Sequence, residues 1–442
     1  MLTLTGPASS YCDGVTRRDF VRVGALTLGG LTLPSFLRYQ AAAAESSGET
    51  PRKTAVISIE LDGGPSQFET YDPKPEAPLE FRGSFSPIRT NVSGVYFSEL
   101  MAEQAKVMDK MAVVRSITHE SNEHSNAGQL ICTGHYRRDG GAGPQEMPGI
   151  GAVASRVRGQ NAFGIPAYVA LLGQMRGGRA MYLGARHDPF TIDQDPNAAN
   201  FKVENLAYGP GVNFDRLRDR QQLLTSLDSQ RRLADVSATA GAMDEYTHEA
   251  YEMIASGRAA QAFDIASEPS AVRDRYGRTH IGQAILLARR LIEADVTFVS
   301  VRDREWDDHA NIAERMRKLR PRFDKAIAAL IGELYARGLD QHVLLIAMVE
   351  FGRTPRIGSA AGRDHWAPVM SAVISGGGLR VGQVVGSSTS RGEMPKDSPY
   401  RPENMLAMVY RHLGIDPALT FPDFEGRPRY LLEHREFIHE LI

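Results

Sequence analysis

The chain has little cysteine: two residues in 442, Cys12 and Cys132. Cys12 falls in a segment expected to be removed, so Cys132 is left alone. No intramolecular disulfide can then brace the fold, and packing must supply its stability. Long uninterrupted apolar runs are also missing. The candidate stretch, Val21 to Leu37, is broken by Gly24, Gly29 and Gly30, which leaves it too short and too weak for a stable transmembrane span. A strong charge imbalance is absent as well. With 51 basic and 53 acidic residues the net charge is −2, and nothing points to nucleic acid or an anionic membrane as a partner. There is no internal repeat and no long low-complexity tract. What is present is 42% hydrophobic residues, enough for a sizeable core.

Residues Thr16-Arg17-Arg18-Asp19-Phe20 form a twin-arginine box, followed by the weakly apolar run and by Ala41-Ala42-Ala43-Ala44. This order is that of a cleavable export signal. The same glycines argue against a buried N-terminal helix. Cleavage is expected after Ala44, so residues 1–44 are read as signal and 45–442 as the working α/β domain. The expected partner during export is the twin-arginine translocase, and the expected location is the periplasm or cell surface. That route carries folded proteins, a common reason being a metal or cofactor loaded in the cytoplasm.

Beyond a polar leader, Thr54–Leu61 reads as a buried strand ending at Asp62-Gly63-Gly64-Pro65. Further apolar strands are expected at Met111–Ile117, Ala167–Leu172, Val296–Val301, Val343–Val349 and Val369–Ser375, the last closed by Gly376-Gly377-Gly378. Helical periodicity covers Ile281–Ala294, Ile312–Arg337 and Pro402–Leu413. Continuous apolar strands alternating with amphipathic helices predict a mostly parallel central sheet with helices on both faces. The charged stretch from about 205 to 275 reads as a helical insertion or cap.

In such a sheet, ligands sit beyond the carboxyl ends of the strands, where carboxylates and imidazoles gather here. Asp62 closes the first strand before two glycines that let backbone approach a ligand, or it caps a turn. Asp307 and His309 are two apart and share a face in an extended segment. They suit a borderline metal, although an aspartate there could equally cap the helix near Ile312. Glu350 and Arg353 follow the fifth strand. Arg353 could fork an anionic group, or the two could form a local ion pair. His365 follows Asp364 in a glycine-rich loop, as a ligand or a proton carrier. His124 and Ser125 open a helix whose amino end favours an anion, unless Ser121 is simply its cap.

Several phrases in order carry a family resemblance: ELDGGPSQFETYDPKPEAP (60–78), ICTGHY (131–136), VEFGRTPRI (349–357), GRDHW (362–366) and GGGLRVGQVVGSS (376–388). They resemble the exported bacterial family known as domain of unknown function 1501 and, more broadly, the alkaline phosphatase-like superfamily of phosphatases and sulfatases. The resemblance implies an alkaline phosphatase-like core and one or two divalent ions (zinc, manganese, calcium or magnesium). It implies that Asp62, Asp307, His309 and His365 are metal ligands, with Glu350 a substitute ligand. Its nucleophile position falls on His124, where Ser, Thr or Cys is the pattern. Either Ser125 serves instead, or His124 binds metal and a metal-activated water attacks, or the histidine itself attacks. No Cys/Ser-x-Pro-x-Arg sequence is present, which argues against formylglycine chemistry. The implied activity is hydrolysis of a small-molecule or glycan phosphate or sulfate ester held by Arg353. The alternative is a non-catalytic metal-containing protein that binds a glycan or protein at the cell surface.

Overall fold

The computed structural model describes residues 53–137, 144–203, 206 and 251–442. The export segment and most of the anticipated insertion lie outside the described residues. The part of the insertion that is described, 251–275, is largely helical.

Eight strands form the central sheet: β1 (Ala55–Leu61), β2 (Ala112–Ile117), β3 (Tyr168–Leu171), β4 (Phe190–Ile192), β5 (Phe298–Asp303), β6 (Val343–Val349), β7 (Met370–Gly376) and β8 (Gln383–Val385). Their order is β8-β2-β7-β6-β1-β5-β3-β4. β1, flanked by β6 and β5, is buried along its whole length, which is why its sequence is an unbroken apolar run apart from Ser58 and Glu60. All strands run one way except β7, which is antiparallel to both neighbours. The expectation of a mostly parallel sheet therefore holds. The reversal has a consequence for the site: Gly376-Gly377-Gly378 lie at the far end, and the residues entering β7 arrive at the carboxyl ends of the parallel strands.

Two groups of helices cover the sheet. α3 (His280–Glu293) packs on α4 (Ile312–Ala336), and α3 also lies against β1 and β5. The other layer is α1 (His124–Thr133), α2 (Ile150–Arg158) and α5 (Pro402–Leu413), with α5 packed on both α1 and α2. α1 stops at Gly134, in the left-handed region at φ 77°, the usual glycine helix stop. Among the described residues no helix is long and apolar enough to cross a membrane.

At the end of the sheet away from the site, His412 of α5 donates from Nε2 to the carbonyls of Ala55 and His342, each 3.1 Å away. Burial lowers its pKa to about 4. A folded pKa below the unfolded 6.5 means that its stabilisation is complete above pH 6.5 and is lost as pH falls through 4. We predict that His412→Gln, which keeps a donor without a titrating ring, becomes less destabilising relative to wild type as pH falls. The gap should change by up to about 3 kcal/mol between pH 7 and pH 4. Urea unfolding across that range measures it, and a pH-independent difference would contradict the assignment.

Candidate metal centre

The site is built at the carboxyl ends of β1, β5 and β6, with contributions from α1 and the chain entering β7. After β5 the backbone is pinned to the end of β1: Asp62 N–H donates to the Asp303 carbonyl (2.8 Å) and Trp306 N–H to the Asp62 carbonyl (3.1 Å). On the other side, Arg363 N–H donates to the Asp308 carbonyl at 3.1 Å. The two-residue ribbon Gly352–Arg353 pairs antiparallel with His365–Trp366, placing His365 opposite Arg353. These tethers bring Asp307 and His309, from the loop after β5, together with His365 from the chain entering β7.

The three imidazoles are oriented alike. Nδ1 of His309 bonds Asp364 Oδ1 at 2.7 Å. Nδ1 of His365 bonds the Asn122 carbonyl at 2.8 Å, and Nδ1 of His124 bonds Glu350 Oε1. A neutral imidazole that donates from Nδ1 presents a lone pair at Nε2. All three Nε2 atoms face Asp307. That of His309 is 2.9 Å from Asp307 Oδ1, that of His365 3.2 Å from the same oxygen, and that of His124 3.5 Å from Oδ2. Nε2 of His309 and Nε2 of His365 are 3.1 Å apart. Two lone pairs at that distance repel unless a proton or a cation stands between them.

Donor atoms about 2.0–2.1 Å from a tetrahedral zinc ion stand about 3.3 Å from one another, the scale of these separations. The ligand-capable atoms of His124, Asp307 and His365 all lie within 4.8 Å of one another. Those three donors fit a divalent cation, and His309 adjoins them through its Nε2, 2.9 Å from Asp307 Oδ1 and 3.1 Å from His365 Nε2. The partners on each Nδ1 are the outer contacts that metal-binding histidines ordinarily make.

For Asp307 and His365 the electrostatics agree. Burial by itself would raise the pKa of Asp307, but the Arg353 guanidinium, bonded at 2.5 Å, and His365 bring it down to about 2. Burial lowers the pKa of His365, which keeps its lone pair available. The Glu350 carboxylate raises that of His124.

The other expected site residues lie around this cluster. Glu350 is fully buried and accepts from Gly63 N–H at 2.9 Å as well as from His124. It makes no local ion pair with Arg353. Arg353 is buried and aims its guanidinium at the carbonyls of Gly63, Gly64, Trp306 and Arg363 and at Asp307. It thus stands behind the Asp307 carboxylate and positions it, where the sequence suggested a clamp facing an ester. Glu123 caps α1 by accepting from the backbone N–H groups of Ser125 (3.0 Å) and Asn126 (2.7 Å), and the Ser125 side chain bonds the same carboxylate. His124 is therefore the residue at the helix start that reaches the cluster, and Ser121 is not the cap. Asp308 neither caps nor enters the site, since it pairs with Arg315 (2.6 Å) and Arg320 (3.0 Å). Asp62 is held by Arg176 Nε at 2.8 Å and Arg302 Nη2 at 2.6 Å.

Sequence reasoning missed those two arginines. A signal existed for one of them: Glu60 and Arg302 are charged residues inside apolar strands, and they lie in register on the neighbouring strands β1 and β5.

The sequence matches the family described as "Protein of unknown function (DUF1501)" over residues 53–442. The chain belongs to that family. No curated protein matches it. Solved structures similar to this member include the PsFucS1 sulfatase from Pseudoalteromonas sp., with 11% identity and a TM-score of 0.37 over 86% of this chain and 70% of that one. A phosphonate monoester hydrolase from Silicibacter pomeroyi is similar at 12% identity and TM-score 0.36, covering 83% and 74%. The alkaline phosphatase of the Antarctic bacterium TAB5 is similar at 12% and 0.35, covering 83% and 99%.

Proposed function

We propose that this protein is an exported, metal-dependent hydrolase of phosphate or sulfate esters. The observation that carries the reading is the convergence of three Nδ1-tethered imidazoles on Asp307 at the carboxyl end of the sheet. Nitrogen-rich donation favours zinc or a neighbouring first-row ion over magnesium or calcium. A bound divalent ion at such a site supplies Lewis-acid polarisation of an ester oxygen and lowers the pKa of water.

The chain's own residues do the rest. Asp364, Glu350 and the Asn122 carbonyl fix the tautomers, and Arg353 holds Asp307 ionised and in place. Phe351, stacked on the His365 ring at 4.3 Å between centroids, walls one side against water. His124, tied to Glu350, can carry a proton at Nδ1 or serve as a ligand through Nε2. Ser125, whose side chain bonds the capping Glu123, is given no part in the attack in this proposal.

The test is a screen of the folded, zinc-loaded protein against phosphate mono- and diesters and sulfated sugars. His309→Ala and Ser125→Ala run beside it. Activity should vanish in the first variant and persist within about threefold in the second, a loss far smaller than that of a nucleophile. Wild-type activity no higher than that of His309→Ala on every ester, with specific binding on a glycan array, would leave the binding-protein reading instead. Export rests on the twin-arginine box, and Arg17→Lys with Arg18→Lys should hold the protein in the cytoplasm. Normal export of that double variant would contradict it.

A further inference from the structure

Beside the imidazole cluster lies a second group of acids, Glu60, Asp62 and Glu350, of which Glu60 and Glu350 are fully buried and Asp62 nearly so. Acids gathered at a strand end are what a second metal ion would need, and the family resemblance implied metal at Asp62 and Glu350. The structure fills that place with protein. Arg176 Nε lies 2.8 Å from Asp62 Oδ1 and 3.6 Å from Glu350 Oε2. Arg302 Nη2 lies 2.6 Å from Asp62 Oδ2, and its Nε 3.4 Å from Glu60 Oε2. The backbone N–H of Arg176 reaches both oxygens of Glu60, at 3.1 and 3.2 Å. Glu350 gives its other oxygen, Oε1, to His124 and Gly63. Oε2 makes no hydrogen bond, and the cation facing it is Arg176.

Both oxygens of Asp62 are therefore bonded to guanidinium groups, and the two arginines already supply the positive charge that a divalent ion would bring. Arg302 is itself anchored by the register of its strand, because it pairs with Glu60 across β1 and β5. A second ion would have to displace a guanidinium and leave it unpaired between buried carboxylates.

Arg176 differs from Arg302 in one respect. Its side chain keeps 31% of its surface exposed, and its terminal nitrogens have no hydrogen-bond partner among the described residues. Its side chain lies across α1, where a β-carbon on Gly128 would meet Arg176 Cδ at 2.6 Å. An arginine fixed at Nε by one carboxylate, with its Nη edge open beside a cation site, is preorganised to take an oxyanion in a fork.

We infer that the site holds one divalent ion, on His124, Asp307, His309 and His365, and that Arg176 with Arg302 occupies the place of a second, Arg176 presenting its free edge to the anionic group of the substrate. The inference rests on the metal-dependent reading above and deepens it.

The full mature protein, reconstituted with excess zinc and then desalted, tests both by native mass spectrometry. One tightly held ion per chain is the expected result. Two would overturn the inference while leaving the metal-dependent reading intact, and none would overturn the reading itself. The second arm measures inorganic phosphate and inorganic sulfate binding to the zinc-loaded protein by calorimetry. Arg176→Met should weaken the oxyanion that binds wild type by tenfold or more and leave the zinc count at one. Arg176→Lys, which keeps the charge and loses the fork, should fall between the two. Unchanged oxyanion affinity in folded, zinc-loaded Arg176→Met would overturn the role given to Arg176.

Discussion

Replacing His309 with alanine is expected to empty the metal centre. Its Nε2 is one of the two nitrogens nearest Asp307 Oδ1, at 2.9 Å, and no neighbouring imidazole can take its direction. Direct ligands contribute more than their outer contacts, and removing an outer contact typically costs 10–100-fold in affinity. The His309→Ala variant should therefore bind zinc more than about 100-fold more weakly. Asp364→Ala, which removes only the 2.7 Å contact on Nδ1, should fall within about 10–100-fold. Competition with a chromophoric chelator measures both. No loss in Asp364→Ala would mean that the ring is held in place by something other than Asp364. Wild-type affinity in His309→Ala would remove His309 from the ligand set.

The second large effect concerns backbone. The Asp307–His309 segment is pressed between two glycines. A β-carbon on Gly63 would stand 2.5 Å from the Asp307 nitrogen and 2.7 Å from the Trp306 carbonyl carbon, at a φ of +119°. One on Gly362 would overlap the His309 carbonyl. Neither obstacle is a flexible side chain, so the metal segment itself must move. Overpacking costs about 1–3 kcal/mol, and at Gly63 the strained φ adds about 1–2 kcal/mol. Gly63→Ala should thus lose roughly 3 kcal/mol or more and bind zinc poorly. Gly94→Ala is the control, because its φ of +78° is also positive but nothing lies within 4 Å of the added carbon. Chemical unfolding and zinc titration of Gly63→Ala, Gly362→Ala and Gly94→Ala separate the terms. Loss of stability in Gly94→Ala as large as in Gly63→Ala would show that φ alone, and not the close approach, governs the site.

These residues also show how far the sequence was legible. β1, β5 and β6 could be read because strands buried on both faces leave unbroken apolar runs that end in acids. β7 could be found but not oriented, since a run such as Met370–Ser375 is equally apolar in either direction, and its reversal is what delivers His365 to the site. β4 and β8 are three residues each, too short for any period to show. Asp62, Asp307, His309 and Glu350 could be gathered at the carboxyl edge because each follows an apolar strand closely, and His365 because it lies one loop further on. Their division into a metal cluster and an arginine-held cluster could not, because it depends on Arg176 and Arg302, which lie far from Asp62 in sequence. Nor could the sequence choose between a helix-capping aspartate and a metal aspartate. In the fold neither aspartate caps that helix: Asp308 pairs with Arg315 and Arg320, and Asp307 faces the imidazoles.

The central claim is that His124, Asp307, His309 and His365 together hold a divalent ion. Anomalous diffraction at the zinc edge from crystals of the zinc-loaded protein tests it most directly. The account predicts one strong anomalous peak within about 2.0–2.2 Å of Nε2 of the three histidines and an oxygen of Asp307, with no peak between Asp62 and Glu350. A peak on Asp62 and Glu350 with the imidazole cluster empty, or no peak at either place, would contradict it.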